Sequence, residues 1–361
     1  MIRSKRSDSR LSTDLTCAVM PTYSLDLWTP QVPTVDQHPH FRGLRNETAT
    51  RGCLDRWTDG FVDIDNDFVP KFQRSFSPQF WELYLHAMFK SLGFKPTRPK
   101  AHPDFLLNAP QGVIVAEAKV TEAGPGQTPE WTNKSQVPFD ADQYREMATS
   151  KLSGAVKGKI NSYRKYSAEP HVKDRPFLLC LAPFDHPWFI VQHARSMWRV
   201  LYQYDQPMFH VSDSGNMIET GHKRVESFTT HSGSQVPLGY FLDPANADVS
   251  AVFFNPRATL SKIFSDPLRE HHKEERVFAS WYMVSTGMFA RQDVHPSNYR
   301  ETLADGGYLL QNPYATKPIE PEPFFNQGVT VFSFDPTARR MTARTPEPFL
   351  FERTTCNERK Y

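Results

Sequence analysis

His102-Pro103-Asp104-Phe105-Leu106-Leu107-Asn108-Ala109-Pro110-Gln111-Gly112-Val113-Ile114-Val115-Ala116-Glu117-Ala118-Lys119-Val120 is the stretch on which the fold turns. Its second half, from Gly112, is rich in Val and Ile and reads as a strand. Strand side chains alternate between faces. Val113, Val115, Glu117 and Lys119 therefore share one face, and Ile114, Ala116, Ala118 and Val120 the other. A carboxylate and an ammonium sit on a strand that otherwise reads as buried, and buried charges are costly unless they are paired or bind an ion. The turn from Asn108 to Gly112 returns the chain, so Asp104, at the start of the first strand, can approach Glu117. Two carboxylates and a lysine then converge.

Upstream, Ser77-Pro78 marks a helix start, with Ser at the N-cap and Pro at the first helical position. A helix over Pro78–Leu92 follows, and Gly93 ends it. It has almost no polar face and is therefore expected to be buried. Glu82 shares a face with Leu85, His86 and Phe89, a carboxylate inside an apolar helix. The plainer alternative is a partly exposed Glu near a helix N-terminus, where the dipole favours it.

Downstream, Thr121 to Val137 holds Gly124, Pro125, Gly126 and Pro129 and reads as a loop. Asp140 or Asp142 can cap a long helix reaching about Tyr166. Gly154 and Gly158 inside it either admit another backbone or mark a break. Tyr144 to Arg175 carries eight basic residues against three acidic ones, and Lys157, Asn161 and Lys165 share a face at four-residue spacing. That is either a solvated helix face or a surface turned to phosphates. Phe177–Ala182 is a continuous apolar run and so a central strand, and Trp188–Tyr204 reads as another helix. This order predicts a mixed α/β sheet with helices on its faces. Residues 205–245 are loop-rich. Val249–Phe254, Val277–Val284, Tyr308–Leu310 and Val329–Phe334 read as strands, and the chain beyond is polar and Pro-rich. Residues 1–65 read as an irregular extension anchored by Leu25, Leu27 and Trp28, and Met20 is an alternative start.

The 361 residues suffice for one large domain or two smaller ones, and a net charge of +2 argues neither for nor against a polyanionic partner. Aromatics at 13% argue for a folded protein, and the 30 prolines for long irregular connections. Cys17, Cys53, Cys180 and Cys356 have no zinc-type spacing and read as thiols in a reducing cytoplasm. No apolar run reaches the roughly eighteen residues of a membrane span, and no apolar segment follows the basic N-terminal run as a signal peptide requires. His271-His272 and His38-x-His40 lack metal-type partners and read as surface histidines. Neither a Gly-rich phosphate loop nor a Gly-x-Ser-x-Gly elbow is present, which disfavours an NTPase or an α/β-hydrolase.

Asp104, Glu117 and Lys119 form Pro-Asp, twelve residues, Glu-x-Lys. The pattern resembles the PD-(D/E)xK, or restriction-endonuclease-like, nuclease superfamily, with Glu82 matching its upstream acidic residue. The resemblance covers about residues 75–185, close to a third of the chain, and the helix–strand–strand–strand–helix–strand order matches the superfamily core. Beyond Val249 the likeness to stand-alone bacterial members is loose, in Val249–Phe254 and Asn312–Ala315. Glu-x-Lys alone is weak: it recurs at Glu358-Arg359-Lys360 with no strand and no Pro-Asp before it.

The resemblance implies an α/β, restriction-endonuclease-like domain over residues 66–361, with a core at about 75–205 and a C-terminal elaboration at 206–361. It implies a metal-dependent deoxyribonuclease, an endonuclease of restriction, defence or repair, using Mg²⁺ with Mn²⁺ as a substitute. Asp104 and Glu117 then bind the metal, and the Ala118 carbonyl can add a ligand. Glu82 binds a second metal, holds a water or positions the other carboxylates, and Lys119 orients or deprotonates the attacking water. Lys157, Asn161 and Lys165 are the expected phosphate contacts. DNA is the expected partner, RNA remains an alternative substrate, and a double-strand cut favours a homodimer. Two other readings stand beside it: a buried ion-pair network without catalysis, and a non-catalytic nucleic-acid-binding or protein-interaction module that keeps the fold.

Overall fold

A computed structural model describes residues 25–211, 217–229, 233–266 and 268–357. Cys17, Met20, the basic N-terminal run and the second Glu-x-Lys lie outside these residues. The described residues begin with four α-helices, α1 (Pro39–Leu44), α2 (Thr48–Trp57), α3 (Phe68–Arg74) and α4 (Phe76–Ser91). Strands β1 (Lys95–Thr97), β2 (Phe105–Ala109) and β3 (Gly112–Glu122) follow, then α5 (Ala141–Tyr166), β4 (Phe177–Phe184) and α6 (Arg195–Tyr202). Two hairpins come next, β5 (Tyr204–Val211) with β6 (Met217–Arg224) and β7 (Ser227–Thr229) with β8 (Gln235–Pro237). The remainder comprises β9 (Ala251–Phe254), α7 (Ser261–Phe264), β10 (Glu275–Met283), β11 (Met288–Val294), β12 (Tyr308–Gln311), α8 (Glu322–Phe325), β13 (Thr330–Asp335), β14 (Arg340–Arg344) and β15 (Phe349–Asn357).

Eight strands make one mixed sheet in the order β1-β2-β3-β4-β9-β12-β13-β14. Its centre, β3-β4-β9, is parallel, and a parallel pair needs a long crossover, which α5 supplies between β3 and β4. Alternation sorts the central strands onto two cores. Ile114, Ala116, Ala118, Leu178, Cys180 and Phe253 pack with α4, while Val115, Leu179, Leu181, Val252 and Phe254 pack with α5 and α6. Helices therefore cover both faces of a mixed sheet, as the sequence order predicts. A separate three-stranded sheet, β11-β10-β15, covers a small third core around Trp281 and Tyr299.

Several expectations change. The helix expected over Trp188–Tyr204 is α-helical only from Arg195. Gln192 is extended, and the Ile190 carbonyl accepts from the Arg257 guanidinium instead of a helical N–H. Gly154 and Gly158 neither break α5 nor admit a neighbour, since a Cβ at either position meets nothing within 4 Å. The Pro-rich end contains β14 and β15, and the loop-rich stretch contains the two hairpins. Residues 1–65 include α1 and α2. The buried face of α2 is Thr50, Cys53, Leu54 and Trp57, whose helical spacing is masked because two of the four are not strongly apolar.

Leu25, Leu27 and Trp28 are buried as expected, and Gln73 of α3 holds their segment in place. Its Nε2 donates to the Leu27 and Thr29 carbonyls at 3.1 and 2.9 Å, and its Oε1 accepts from the Gln31 N–H at 2.9 Å. Gln73 is wholly buried, so Gln73→Leu leaves those groups unsatisfied. We expect it to destabilise the protein by about 1–3 kcal/mol in denaturant unfolding. Stability within error of the parent would show that water replaces these bonds at no loss.

Candidate active site

β2 begins at Phe105, whose partner on β3 is Ala116. The next N–H on that side of β3, Ala118, meets no strand carbonyl, and a buried N–H needs a partner. The Asp104 carboxylate supplies it, with Oδ2 accepting from Ala118 N at 2.8 Å. Asp104 thus continues the ladder with its side chain and is held beside Glu117. The pairing of Asp104 with Glu117 expected from the turn is present.

Glu117 lies mid-strand and is 2% exposed. Two donors from α5 satisfy it: the Tyr166 hydroxyl donates to Oε1, and the Lys159 ammonium to Oε2. Lys159 Nζ also lies 3.4 Å from Asp104 Oδ2, so one cation bridges both carboxylates. The His102 ring stacks on Tyr166, centroids 5.5 Å apart at 12°. Burial and the neighbouring Asp104 push Glu117 up to about 7, against the pull of Lys159 and Tyr166. Lys159 is itself raised, because Asp104 and Glu117 together outweigh its burial.

The lysine is not the one the motif indicates. Lys119 shares the Glu117 face but extends into solvent, exposed and without any side-chain hydrogen bond or ion pair. Its long stem lets the head stay in water. Lys159 takes the place between the carboxylates because α5 turns a buried stripe, Leu152, Ala155, Val156, Ile160, Tyr163 and Tyr166, toward the sheet, and Lys159 falls within it. That was the available signal: a cation inside the apolar periodicity of a helix.

Glu82 is half-buried on α4, and it does not join the pair as a free ligand. Arg98 holds it in an ion pair at 2.8 Å, and the guanidinium lies 4.7 Å from the Phe61 ring centroid. Burial and Asp104 push Glu82 up to about 7, against Arg98. Among the described residues no three His, Cys, Asp or Glu groups are placed to hold a metal. The oxygen donors that could hold a hard cation are those of Asp104 and Glu117, and their chemistry suits Mg²⁺ once Lys159 yields its position.

Lys157, Asn161 and Lys165 are exposed on α5, but at 100° per residue Lys157 and Asn161 stand about 160° from Lys159. They line a separate depression with Arg164, Tyr240 and Asn246, and Arg164 is tied to Asp248 at 3.2 Å. The basic excess of this helix thus turns away from the carboxylates. Two of the expected surface histidines are also inside: His38 stacks on Phe76, and burial lowers it to about 4, while the His271 Nδ1 lies 3.0 Å from Glu275. No disulfide joins Cys53, Cys180 and Cys356.

Glu117 ionises near 4.5 when unfolded and near 7 when folded. The fold therefore holds its proton more tightly, and the stability it contributes is full below 4.5 and declines as pH rises to about 7. Glu117→Gln cannot ionise. Its melting temperature should match the parent near pH 4.5 and exceed it near pH 7. A difference that stays constant between the two pH values would mean that the fold leaves this carboxyl unshifted. Comparison of the chain with protein-family models, curated proteins and solved structures finds no match.

Proposed function

We propose that the chain is a metal-dependent deoxyribonuclease of the PD-(D/E)xK, restriction-endonuclease-like class, acting on DNA, with Asp104 and Glu117 as its metal-holding pair. One observation carries the reading: a buried carboxylate on β3, Glu117, and a half-buried one just before β2, Asp104, converge on a single cation, the Lys159 ammonium. A place that takes an ammonium between two hard oxygen donors offers Mg²⁺ or Mn²⁺ the ligands they prefer. Such an ion, when bound, acidifies its water and stabilises charge at the phosphate. The order α4-β1-β2-β3-α5-β4 supports the same class.

The chain's own groups divide the remaining work. Asp104 is fixed by Ala118 N–H, and Tyr166 fixes the rotamer of Glu117. Lys159 balances the two negative charges and must swing aside for a divalent ion to reach both. Lys119, exposed, without a hydrogen bond or ion pair and acting by charge only on Glu122, is the cation available to a phosphate or its attacking water. Glu82, clamped by Arg98, acts on Asp104 through its charge. Endonucleolytic action, a homodimer for double-strand cuts and a cytoplasmic setting belong to the same proposal.

A second reading has its own observation. Lys159 and Tyr166 already satisfy both oxygens of Glu117, as in a structural ion pair of a module that binds nucleic acid or protein without turnover. Incubation with plasmid, linear and single-stranded DNA and with RNA, in Mg²⁺ or EDTA, separates the two. The nuclease reading expects Mg²⁺-dependent nicking that falls by about 10²-fold or more in Asp104→Asn and Glu117→Gln. Cutting undiminished in EDTA, or in either variant, would rule it out. Ca²⁺, larger and looser in its shell, should support DNA binding with little cleavage.

If Lys119 is the cation at the phosphate, Lys119→Ala should lower cleavage while leaving the melting temperature at the parent value. Lys159→Met should lower both, since it leaves the buried Glu117 and the half-buried Asp104 without their counter-ion. Equal behaviour of the two variants would cancel this division of roles.

A further inference from the structure

A cavity of about 240 Å³ opens between α4 and the carboxyl end of β4. Phe184, at that end, pairs in register with Glu122, five residues along β3 from Glu117, or about 17 Å at strand spacing. It packs in the core on the α4 side of the sheet, whereas Glu117 faces α5. The cavity is therefore a different place from the carboxylate pair.

Its walls are aromatic. Phe76 stacks on Phe80 at 5.4 Å, Phe80 lies 6.3 Å from Phe184, and Phe184 meets Phe189 edge-on at 5.3 Å. Three charged side chains line it as well. Lys134 is half-buried and its ammonium makes no hydrogen bond or ion pair; burial and Arg257 hold it below the usual lysine range. The Arg353 side chain is 1% exposed, and its Nε is buried with no partner, although its two terminal nitrogens are bound to Glu301, the Arg257 carbonyl and Thr259. The Glu130 side chain is 6% exposed; its Oε1 accepts from Ser77 at 3.0 Å and lies 3.4 Å from His40, while its Oε2 accepts no hydrogen bond. Lys134 and Glu130 line one cavity without reaching each other.

We propose that this cavity binds a planar heteroaromatic ring carrying an N–H donor edge and an anionic group, the chemistry of a nucleotide. The rings of Phe76, Phe80, Phe184 and Phe189 offer faces and edges to a π-system. Glu130 Oε2 accepts from an exocyclic amine, as carboxylates do from the amino group of cytosine. Lys134, with the Arg353 Nε–H behind it, meets the anion. The volume is below the roughly 300–1,000 Å³ of drug-sized pockets, so it takes one ring system rather than two. The ligand is either a free mononucleotide or a nucleotide turned out of a strand. The inference does not depend on the nuclease reading, because it requires binding and no cleavage.

The test is calorimetry on the full chain in EDTA, with dCMP, dAMP, dGMP, dTMP and deoxycytidine as probes. Amino-bearing mononucleotides should bind better than dTMP, and dCMP better than deoxycytidine. Lys134→Met should weaken dCMP about tenfold or more, and Glu130→Gln should erase the preference over dTMP. Melting temperatures check that both variants fold, with Lys134→Gln in reserve. A duplex carrying 2-aminopurine distinguishes the two sources. A fluorescence rise with the parent that Lys134→Met abolishes assigns the ligand to a strand, whereas binding of mononucleotides without such a rise assigns it to the free pool. Absence of both, or binding that Lys134→Met leaves unchanged, overturns the proposal.

Discussion

The desolvation of Glu117 is the constraint around which the centre of this protein is arranged. A carboxylate in the middle of a strand that is covered on both faces is expensive to ionise. It is tolerated because α5 brings an ammonium and a phenol to its two oxygens. That requirement accounts for the length of α5. The helix must run the full face of the sheet, packing Leu152, Val156 and Ile160, and still present Tyr166 in its last turn. It also accounts for a lysine in an apolar stripe, where packing alone would select a hydrocarbon.

A second buried glutamate in the same chain shows how different the outcome can be. The Glu301 side chain is 5% exposed, yet its carboxyl is held below the ordinary range, because burial is outweighed by Arg353 and Lys262. Two cations serve one carboxylate there. At Glu117 the ratio is reversed: one cation serves two carboxylates, and burial with the Asp104 charge keeps the carboxyl high. The Glu301 cluster has the character of a structural tie, and the Glu117 cluster that of a place short of positive charge. Perturbation of that sign, from a named neighbour as well as from burial, is the pattern expected at functional sites.

Much of this was legible in the residues. The alternation along Val113–Lys119 located the strand and the buried carboxylate, and the turn at Asn108–Gly112 located Asp104 beside it. Asp140 was readable as a cap, and its carboxylate does accept from the N–H groups of Asp142 and Gln143. The choice of lysine was not legible from motif spacing, because that spacing specifies a face of the strand and not whether a long side chain folds in or out. The helical wheel of α5 carried the missing information, since Lys159 interrupts its buried stripe. The Glu82–Arg98 pair was hidden for another reason: it joins α4 to the chain just after β1, and no local pattern ties a helix residue to a loop arginine. The strands near the C-terminus were obscured because β14 is largely exposed, so its alternation never acquires an apolar face.

The two lysines near the carboxylates are therefore not interchangeable. Lys159 is raised by both carboxylates and committed to them, its stem seated among apolar neighbours on α5. Lys119 stands two residues from Glu117, exposed and without a hydrogen bond or ion pair, and its charge acts on Glu122. Release of Lys159 breaks its links to both carboxylates and exposes their full repulsion, so it is favourable only when another cation arrives to replace it. One ammonium thus keeps the two carboxylates together, and the other, on the same strand face as Glu117, stays in solvent.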